Sequence, residues 1–264
     1  MRNIPISILL AIVAAIAGIA GTTSSASADP QICVSVNGVV RVQKGSTTCS
    51  SSSSDGSANV AIARGQGSNA EAGDTSTDSG NRARASNGGS AMAAGGDNNT
   101  AVADGDGSVA YAGYGGDDNT TVAIGTNAFA ASGIGDGNTA TASGVSAHAE
   151  AVGDNNLAIA DGDGAGAMAT WGENNTAIVE GNTSGAIATS GDNNAATVIG
   201  DNSFAVAADG NNNTSVVVGD GSIAESYYGD DNTAVAVGDS ALAQAVGGSC
   251  TAEAIGDGAV TICP

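Results

Sequence analysis

The feature that most constrains this chain is a short phrase that recurs at nearly constant spacing. An Asn opens a phrase of the form Asn-x-Ala-x-Ala/Val-x-Gly eight times, with Thr or Ser in place of the first Ala in two of them, at intervals of 20, 19, 18, 19, 19, 19 and 19 residues. The anchors are Asn99, Asn119, Asn138, Asn156, Asn175, Asn194, Asn213 and Asn232. A fixed period of about 19 residues is typical of a solenoid, in which each repeat forms one stacked coil.

The composition indicates that these coils enclose a thin core. The chain has 41 Gly but only two Phe, one Trp and four Tyr, too few large side chains for a thick interior. A Gly-rich chain could also be disordered, but a solvated linker has no reason to keep Ala and Val in register over eight repeats. Each unit holds two strand phrases separated by Gly-Asp-Asn or Gly-Asp-Gly turns. We therefore predict an all-β fold, a parallel β-solenoid built as a two-sheet β-roll over residues 57–258.

Alternation within the first phrase of each unit predicts which side chains face inward. The third and fifth positions are nearly always Ala, Ser, Thr or Val, whereas the sixth accepts Asp104, Asp161 and Glu180, which could not be buried unpaired. The second and fourth positions should therefore face outward, where they form a Thr-x-Val/Ile stripe. A contiguous stripe favours a packing or binding role, although Thr and Val are also simply good strand formers. The binding-face candidates are Thr100, Val102, Thr120, Val122, Thr176, Ile178, Thr214, Val216, Thr233 and Val235.

The two ends of the repeat array differ from its middle. The segment from Ile32 to Val42 alternates apolar and polar residues around Asn37-Gly38, which predicts that residues 29–49 form a β-hairpin cap over the first coil. A Ser-rich hinge should follow at 50–56, and residues 250–264 should form a C-terminal cap. An even number of cysteines in an exported chain indicates disulfides, and a rod of stacked coils keeps its ends too far apart to be bridged. We predict the local pairs Cys33–Cys49 and Cys250–Cys263.

The first 28 residues are typical of a secretory signal peptide. Arg2 precedes an apolar stretch from Ile4 to Ala20, and Ala26-Ser27-Ala28 forms a small-residue cleavage site. A retained membrane anchor is the alternative, but the apolar stretch is short and no basic stop-transfer flank follows. We expect a secreted, extracellular or envelope-associated protein with no stable membrane insertion after cleavage.

The strongly acidic balance restricts the choice of partners. The net charge is −21, and removal of residues 1–28, which hold one Arg and no acid, makes it −22. Nucleic acid and anionic membranes are therefore poor partners, whereas a cation-rich surface or divalent ions are favoured. The same charge could serve only to keep neighbouring copies apart.

The sequence offers little support for metal binding or catalysis. The calcium candidates Asp104, Asp106, Asp161 and Asp163 place paired carboxylates in Gly-rich turns. Calcium β-rolls need an inner Asp at a position where this chain usually has Ala, as in GDNNTA. The single His148, with Glu150 two residues on, should lie on a strand face without a cleft. We predict no enzyme activity and no cofactor.

Two longer segments resemble a known family. The sequences NTAVAVGDSALAQAVG (Asn232 to Gly247) and NTTVAIGTNAFAASG (Asn119 to Gly133) are similar to head repeats of trimeric autotransporter adhesins. The resemblance covers most of residues 99–258, without a stalk or membrane anchor, and the period here is longer than that of the family. It implies a left-handed parallel β-roll with an exposed adhesive or structural role.

From these features we expect a non-enzymatic secreted or cell-surface repeat protein with an adhesive or structural role through its flat sheet faces. The alternative is a ligand-specific module, either an ice-binding or a calcium-responsive β-roll. Expected partners are a host or envelope surface and, through the Thr-x-Val/Ile stripe, weak homo-oligomers.

Overall fold

The computed structural model describes residues 31–53 and 56–264, and within these ranges the regular structure consists of 25 strands without a helix. The strands form two sheets, and successive coils contribute one strand to each. The predicted all-β parallel β-solenoid is thereby confirmed. The predicted signal peptide, residues 1–28, lies outside the described residues. No helix among the described residues is long and apolar enough to cross a membrane.

Sheet A contains 13 strands in the order β2-β1-β4-β6-β8-β10-β12-β14-β16-β18-β20-β22-β24. Its strands are β1 (Ile32–Val36), β2 (Val39–Lys44), β4 (Val60–Arg64), β6 (Arg82–Ser86), β8 (Thr100–Asp104), β10 (Thr120–Ile124), β12 (Thr139–Ser143), β14 (Leu157–Asp161), β16 (Thr176–Glu180), β18 (Ala195–Ile199), β20 (Thr214–Val218), β22 (Thr233–Val237) and β24 (Thr251–Ile255). From β4 to β24 they pair in parallel, one strand per coil, which gives 11 coils.

Sheet B contains 12 strands, all parallel, that alternate with those of sheet A along the chain. They are β3 (Thr48–Ser51), β5 (Asn69–Ala72), β7 (Ser90–Ala93), β9 (Val109–Ala112), β11 (Phe129–Gly133), β13 (His148–Asp154), β15 (Gly166–Glu173), β17 (Gly185–Thr189), β19 (Phe204–Ala208), β21 (Ile223–Tyr227), β23 (Leu242–Val246) and β25 (Val260–Cys263). With about 4.8 Å between adjacent strands, 11 coils make a rod of roughly 50 Å.

The core between the sheets is built almost entirely from alanine. The two inward positions of each sheet A strand from β4 to β24 are buried, as Ala101 and Ala103 of β8 illustrate, and the largest fully buried apolar side chains are Val179, Val198 and Val217. Strand after strand alternates between buried and partly exposed residues. The predicted inward and outward positions are therefore correct, and the small side chains let the two sheets lie close together.

The anchor asparagines form a buried ladder along one corner of the solenoid. In each coil the side-chain Oδ1 accepts the backbone N–H of the next Asn, as in the 2.9 Å bond from Asn138 to Asn119. The Nδ2 of Asn119 donates to the carbonyl of Gly135 in the following turn. Ten asparagines take part: Asn59, Asn81, Asn99, Asn119, Asn138, Asn156, Asn175, Asn194, Asn213 and Asn232. The period read in the sequence is thus the period of a hydrogen-bonded column that satisfies the polar groups of a buried corner.

Turn glycines are required because the corners of successive coils touch. Gly172 has φ +154°, and a Cβ there would overlap the carbonyl oxygen of Gly191 in the next coil. The same overlap recurs from Gly191 to Gly210 and from Gly210 to Gly229. Backbone contact at these corners leaves no room for a side chain.

The N-terminal end is covered by the predicted hairpin. Strands β1 and β2 are antiparallel and are joined by Asn37 (φ 50°) and Gly38 (φ 80°), the two positive-φ residues of a tight hairpin turn. Strand β1 also pairs antiparallel with β4, so the hairpin closes the first edge of sheet A.

Two predicted boundaries near this end differ from the structure. Cys49 lies in β3 of sheet B, so the disulfide with Cys33 joins the two sheets, with a Cα–Cα distance of 5.7 Å. Ser50 and Ser51 also belong to β3 and pair with β5, so these residues of the expected 50–56 hinge are strand. Hydrogen bonding to the neighbouring coil overrides the flexible composition of the Ser run.

The C-terminal segment is the last coil of the solenoid rather than a separate cap. Strands β24 and β25 continue the parallel pairing of both sheets. Cys250 and Cys263 are bonded, with a Cα–Cα distance of 6.1 Å, which confirms the second predicted pair. Two disulfides indicate that the chain folds in an oxidising environment.

Candidate binding face

The Thr-x-Val/Ile stripe occupies the outer face of sheet A as two straight columns. Parallel pairing sets Thr100, Thr120 and Thr139 side by side, and the same register aligns Val102, Val122 and Thr141. Both columns continue in register through β22. The Thr column is Thr100, Thr120, Thr139, Leu157, Thr176, Ala195, Thr214 and Thr233; the second column is Val102, Val122, Thr141, Ile159, Ile178, Thr197, Val216 and Val235.

Side chains of the stripe shield one another because neighbouring coils are one strand apart. Val122 is only 9% exposed, and the other stripe residues are half-buried although they face outward. Among the sheet A strands from β8 to β22, the most exposed apolar residues lie in the next outward column, where Ile199 and Val218 are 45% and 39% exposed. The accessible apolar surface of sheet A is therefore widest near its C-terminal half.

Charged residues border this surface on two sides. Arg64, Arg82 and Arg84 lie on the outer face of the first coils of sheet A. The outward column that contains Ile199 and Val218 also holds Asp161 and Glu180, which are both exposed. Along sheet A, the outer face therefore carries basic residues in the first coils, acidic residues beside the middle of the stripe and exposed apolar residues in the later coils.

The carboxylates of the turns form hydrogen bonds between coils. Asp163 accepts the backbone N–H of Val145 at 2.8 Å, and Asp104 accepts the side-chain N–H of Asn87 at 2.6 Å. In the same way, the Asp220 carboxylate accepts the backbone N–H of Asp201, and the Asp239 carboxylate accepts the backbone N–H of Asp220. Asp106 and Asp161 are exposed. Within the described ranges, no three His, Cys, Asp or Glu residues converge as a metal site would require.

The outer face of sheet B carries a contiguous row of rings. Tyr114, Tyr111, Phe129 and His148 follow one another, with ring centroids 6.5, 6.1 and 5.0 Å apart. His148 and Glu150 both face outward from β13, as the alternation predicts. Because the rings contact one another edge-on or tilted, they pack as a cluster over three coils.

The clearest electrostatic perturbation lies in the irregular loop between β5 and β6. Burial opposes ionisation of Asp78, but hydrogen bonds from Asp74, from the Thr75 hydroxyl and from the backbone N–H of Gly95 outweigh it and hold the Asp78 pKa well below its usual range. The pKa of Asp74 is raised, chiefly by its hydrogen bond to Asp78. This pair closes the loop and belongs to the scaffold.

The sequence marked the asparagine anchors but assigned them no role. A polar residue that recurs at one position of every coil is the signal that could have identified the ladder, because buried amides are kept where they satisfy backbone groups.

No family model, curated protein or solved structure matches this chain.

Proposed function

We propose that this chain is a non-enzymatic secreted or cell-surface repeat protein that acts structurally or adhesively through the outer face of sheet A. The observation that supports the proposal is the continuity of the stripe, which keeps its two columns in register over eight strands. At about 4.8 Å per strand, this makes close to 40 Å of repetitive surface. The resemblance to adhesin head repeats points to the same kind of role.

Lateral association of two copies is the simplest use of such a face. Burying apolar area contributes about 25 cal/mol per Å² before the costs of association. The partial burial of the stripe and the repulsion between two chains of charge −22 both weaken the contact. We therefore expect weak side-by-side oligomers that become stronger at high salt, where like-charge repulsion is screened.

Sedimentation velocity of the mature protein at low and high salt tests this prediction. The variant Val216→Lys, Val235→Lys places two charges on the stripe and should remain monomeric at high salt. The matched control Ile187→Lys, Val206→Lys changes half-buried outward residues on adjacent strands of sheet B and should still associate. If the native protein is monomeric at every salt concentration, the stripe is only strand-forming surface and lateral association is wrong.

Ice binding is the second candidate, favoured by the straight column of Thr hydroxyls at regular spacing. Leu157 and Ala195 interrupt that column, and the second column is mainly Val and Ile. Thermal hysteresis in the native protein would support ice binding, and Thr120→Val together with Thr176→Val should reduce it. A calcium-responsive role would instead appear as a melting temperature that rises with Ca²⁺ but not with the same concentration of Mg²⁺.

A further inference from the structure

The two ends of the rod carry opposite charge. Residues 29–84 hold five Lys and Arg residues and five Asp and Glu residues, so their charges balance, whereas the chain beyond residue 84 holds 22 acidic residues and no Lys or Arg. Residues 31–53 hold Arg41 and Lys44 and no acidic residue. The last coil holds Glu253 and Asp257 and no basic residue.

Each end also presents an unpaired strand edge with exposed apolar side chains. Among the described strands, β2 pairs only with β1, and its residues Val39 and Val40 are 47% and 48% exposed. Within the described ranges, strand β24 pairs only with β22, and Ile255 is 70% exposed. An open edge of this kind is a template for another strand.

The directions of these two strands are compatible with continuation of the sheet. Strand β1 is antiparallel to both β2 and β4, so β2 runs in the same direction as β4 and therefore as β24. A second copy displaced along the rod axis would thus place its β2 beside β24 as one more parallel strand. The second copy need not be turned end over end.

We propose that copies of this chain associate head to tail, with β24 of one copy paired with β2 of the next. The register through sheet A places Thr251 opposite Val39 and Glu253 opposite Val42, beside the bulged Arg41. Ile255 then lies opposite Lys44. Asp257 follows Ile255 by two residues, so an acidic residue is close to Lys44 in the sequence of the junction. This junction therefore combines apolar contacts with opposite charges. Because it joins different ends of two copies and does not close a ring, repeated association builds a filament.

The contact is small, because no described strand of sheet B lies level with β2. Stable interfaces bury about 1,200–2,000 Å², more than one strand pair provides, so the association should be weak and dependent on protein concentration. Its salt dependence is opposite to that of the lateral contact: attraction between opposite charges weakens as salt rises. The two contacts therefore succeed or fail independently.

Charge exchange between the ends tests the proposal by sedimentation velocity of the mature, oxidised protein at low salt over a range of protein concentrations. Arg41→Glu alone and Glu253→Lys alone should each raise the dissociation constant at least about tenfold, because each sets like charges face to face. The double variant Arg41→Glu, Glu253→Lys restores opposite charges at the junction and keeps the native net charge, so it should associate like the native chain.

Two controls separate this junction from other causes. Glu173→Lys makes the same charge change at the exposed last residue of β15, in the middle of the rod, and should leave association unchanged. Circular dichroism of each variant checks that the β-solenoid is intact. A native protein that stays monomeric at low salt and high concentration would overturn the proposal, as would a double variant that fails to recover association. Association that instead strengthens with salt and is abolished by Val216→Lys, Val235→Lys would indicate the lateral contact alone.

Discussion

At the scale of single residues, the buried asparagines carry a disproportionate share of the specificity of this fold. Asn175 illustrates the role: its Oδ1 accepts the N–H of Asn194, and its Nδ2 donates to the carbonyl of Gly191. Both partners lie in the next coil, so one side chain joins two coils by two hydrogen bonds. Alanine at this position would leave buried backbone groups unsatisfied, which costs more than the loss of an exposed bond.

Asn175→Ala should therefore lower the free energy of unfolding by roughly 2–4 kcal/mol, since about 1–3 kcal/mol is lost for each unsatisfied buried group. The control is Asn182→Ala, which removes an exposed bond to the N–H of Asp163 that water can replace. We expect a change below about 1 kcal/mol for the control. Equal effects of the two substitutions in thermal or denaturant unfolding would contradict a special role for the ladder.

At the scale of strands, the close approach of the two sheets limits what the inward positions can hold. Most are alanine, and in two places a buried hydroxyl of sheet A faces a buried hydroxyl of sheet B. Ser215 and Ser226 are both buried and their hydroxyls lie 2.8 Å apart. Thr121 and Ser132 form an equivalent pair. In both places the two buried hydroxyls satisfy each other across the core.

A larger side chain in this layer should be costly. Ala177 is fully buried in β16, and Ala177→Leu should destabilise the protein by about 1–3 kcal/mol because the surrounding strands cannot move apart without breaking coil-to-coil bonds. Thr176→Leu is the matched control, since Thr176 is the outward neighbour on the same strand. Melting temperatures measured for both variants should fall only for the first. An unchanged value for Ala177→Leu would mean that the sheets are less tightly apposed than the burial indicates.

At the scale of the whole molecule, each coil contacts only its neighbours, so stability is a chain of nearest-neighbour terms rather than one central core. The two disulfides lie at the ends of this chain of contacts. Cys33–Cys49 holds the hairpin strand against sheet B, and Cys250–Cys263 closes the last coil. Their positions suit the coils that have a neighbour on one side only.

Loss of a disulfide should fray one end without unfolding the rod. In the Cys250→Ser, Cys263→Ser variant, backbone amides of β24 and β25 should exchange hydrogen faster, whereas those of β16 should stay protected. Removal of Cys33 and Cys49 should affect β1 to β4 in the same way. Hydrogen exchange resolved along the chain measures this directly. A uniform loss of protection in all coils would show that the array unfolds as one unit.

Much of the fold follows from the sequence because its determinants are local and repeated. The period near 19 fixes the coil, the alternation within each phrase fixes the inward Ala and outward Thr and Val, and Asn37-Gly38 fixes the hairpin. The disulfide pairs follow because cysteines 16 and 13 residues apart can meet, whereas the two ends of a rod cannot.

Other properties depend on which residues the coils bring together. The asparagine ladder, the backbone contact at Gly172 and the placement of Ser50 and Ser51 in a strand all arise from bonds between coils, about 19 residues apart, that no local pattern specifies. The same holds for the stripe. Its columns can be read from the repeats, but their partial burial comes from neighbours about 4.8 Å away. The sequence by itself determined the repeat and its orientation, and the stacking of coils decided how much of each face is open to a partner.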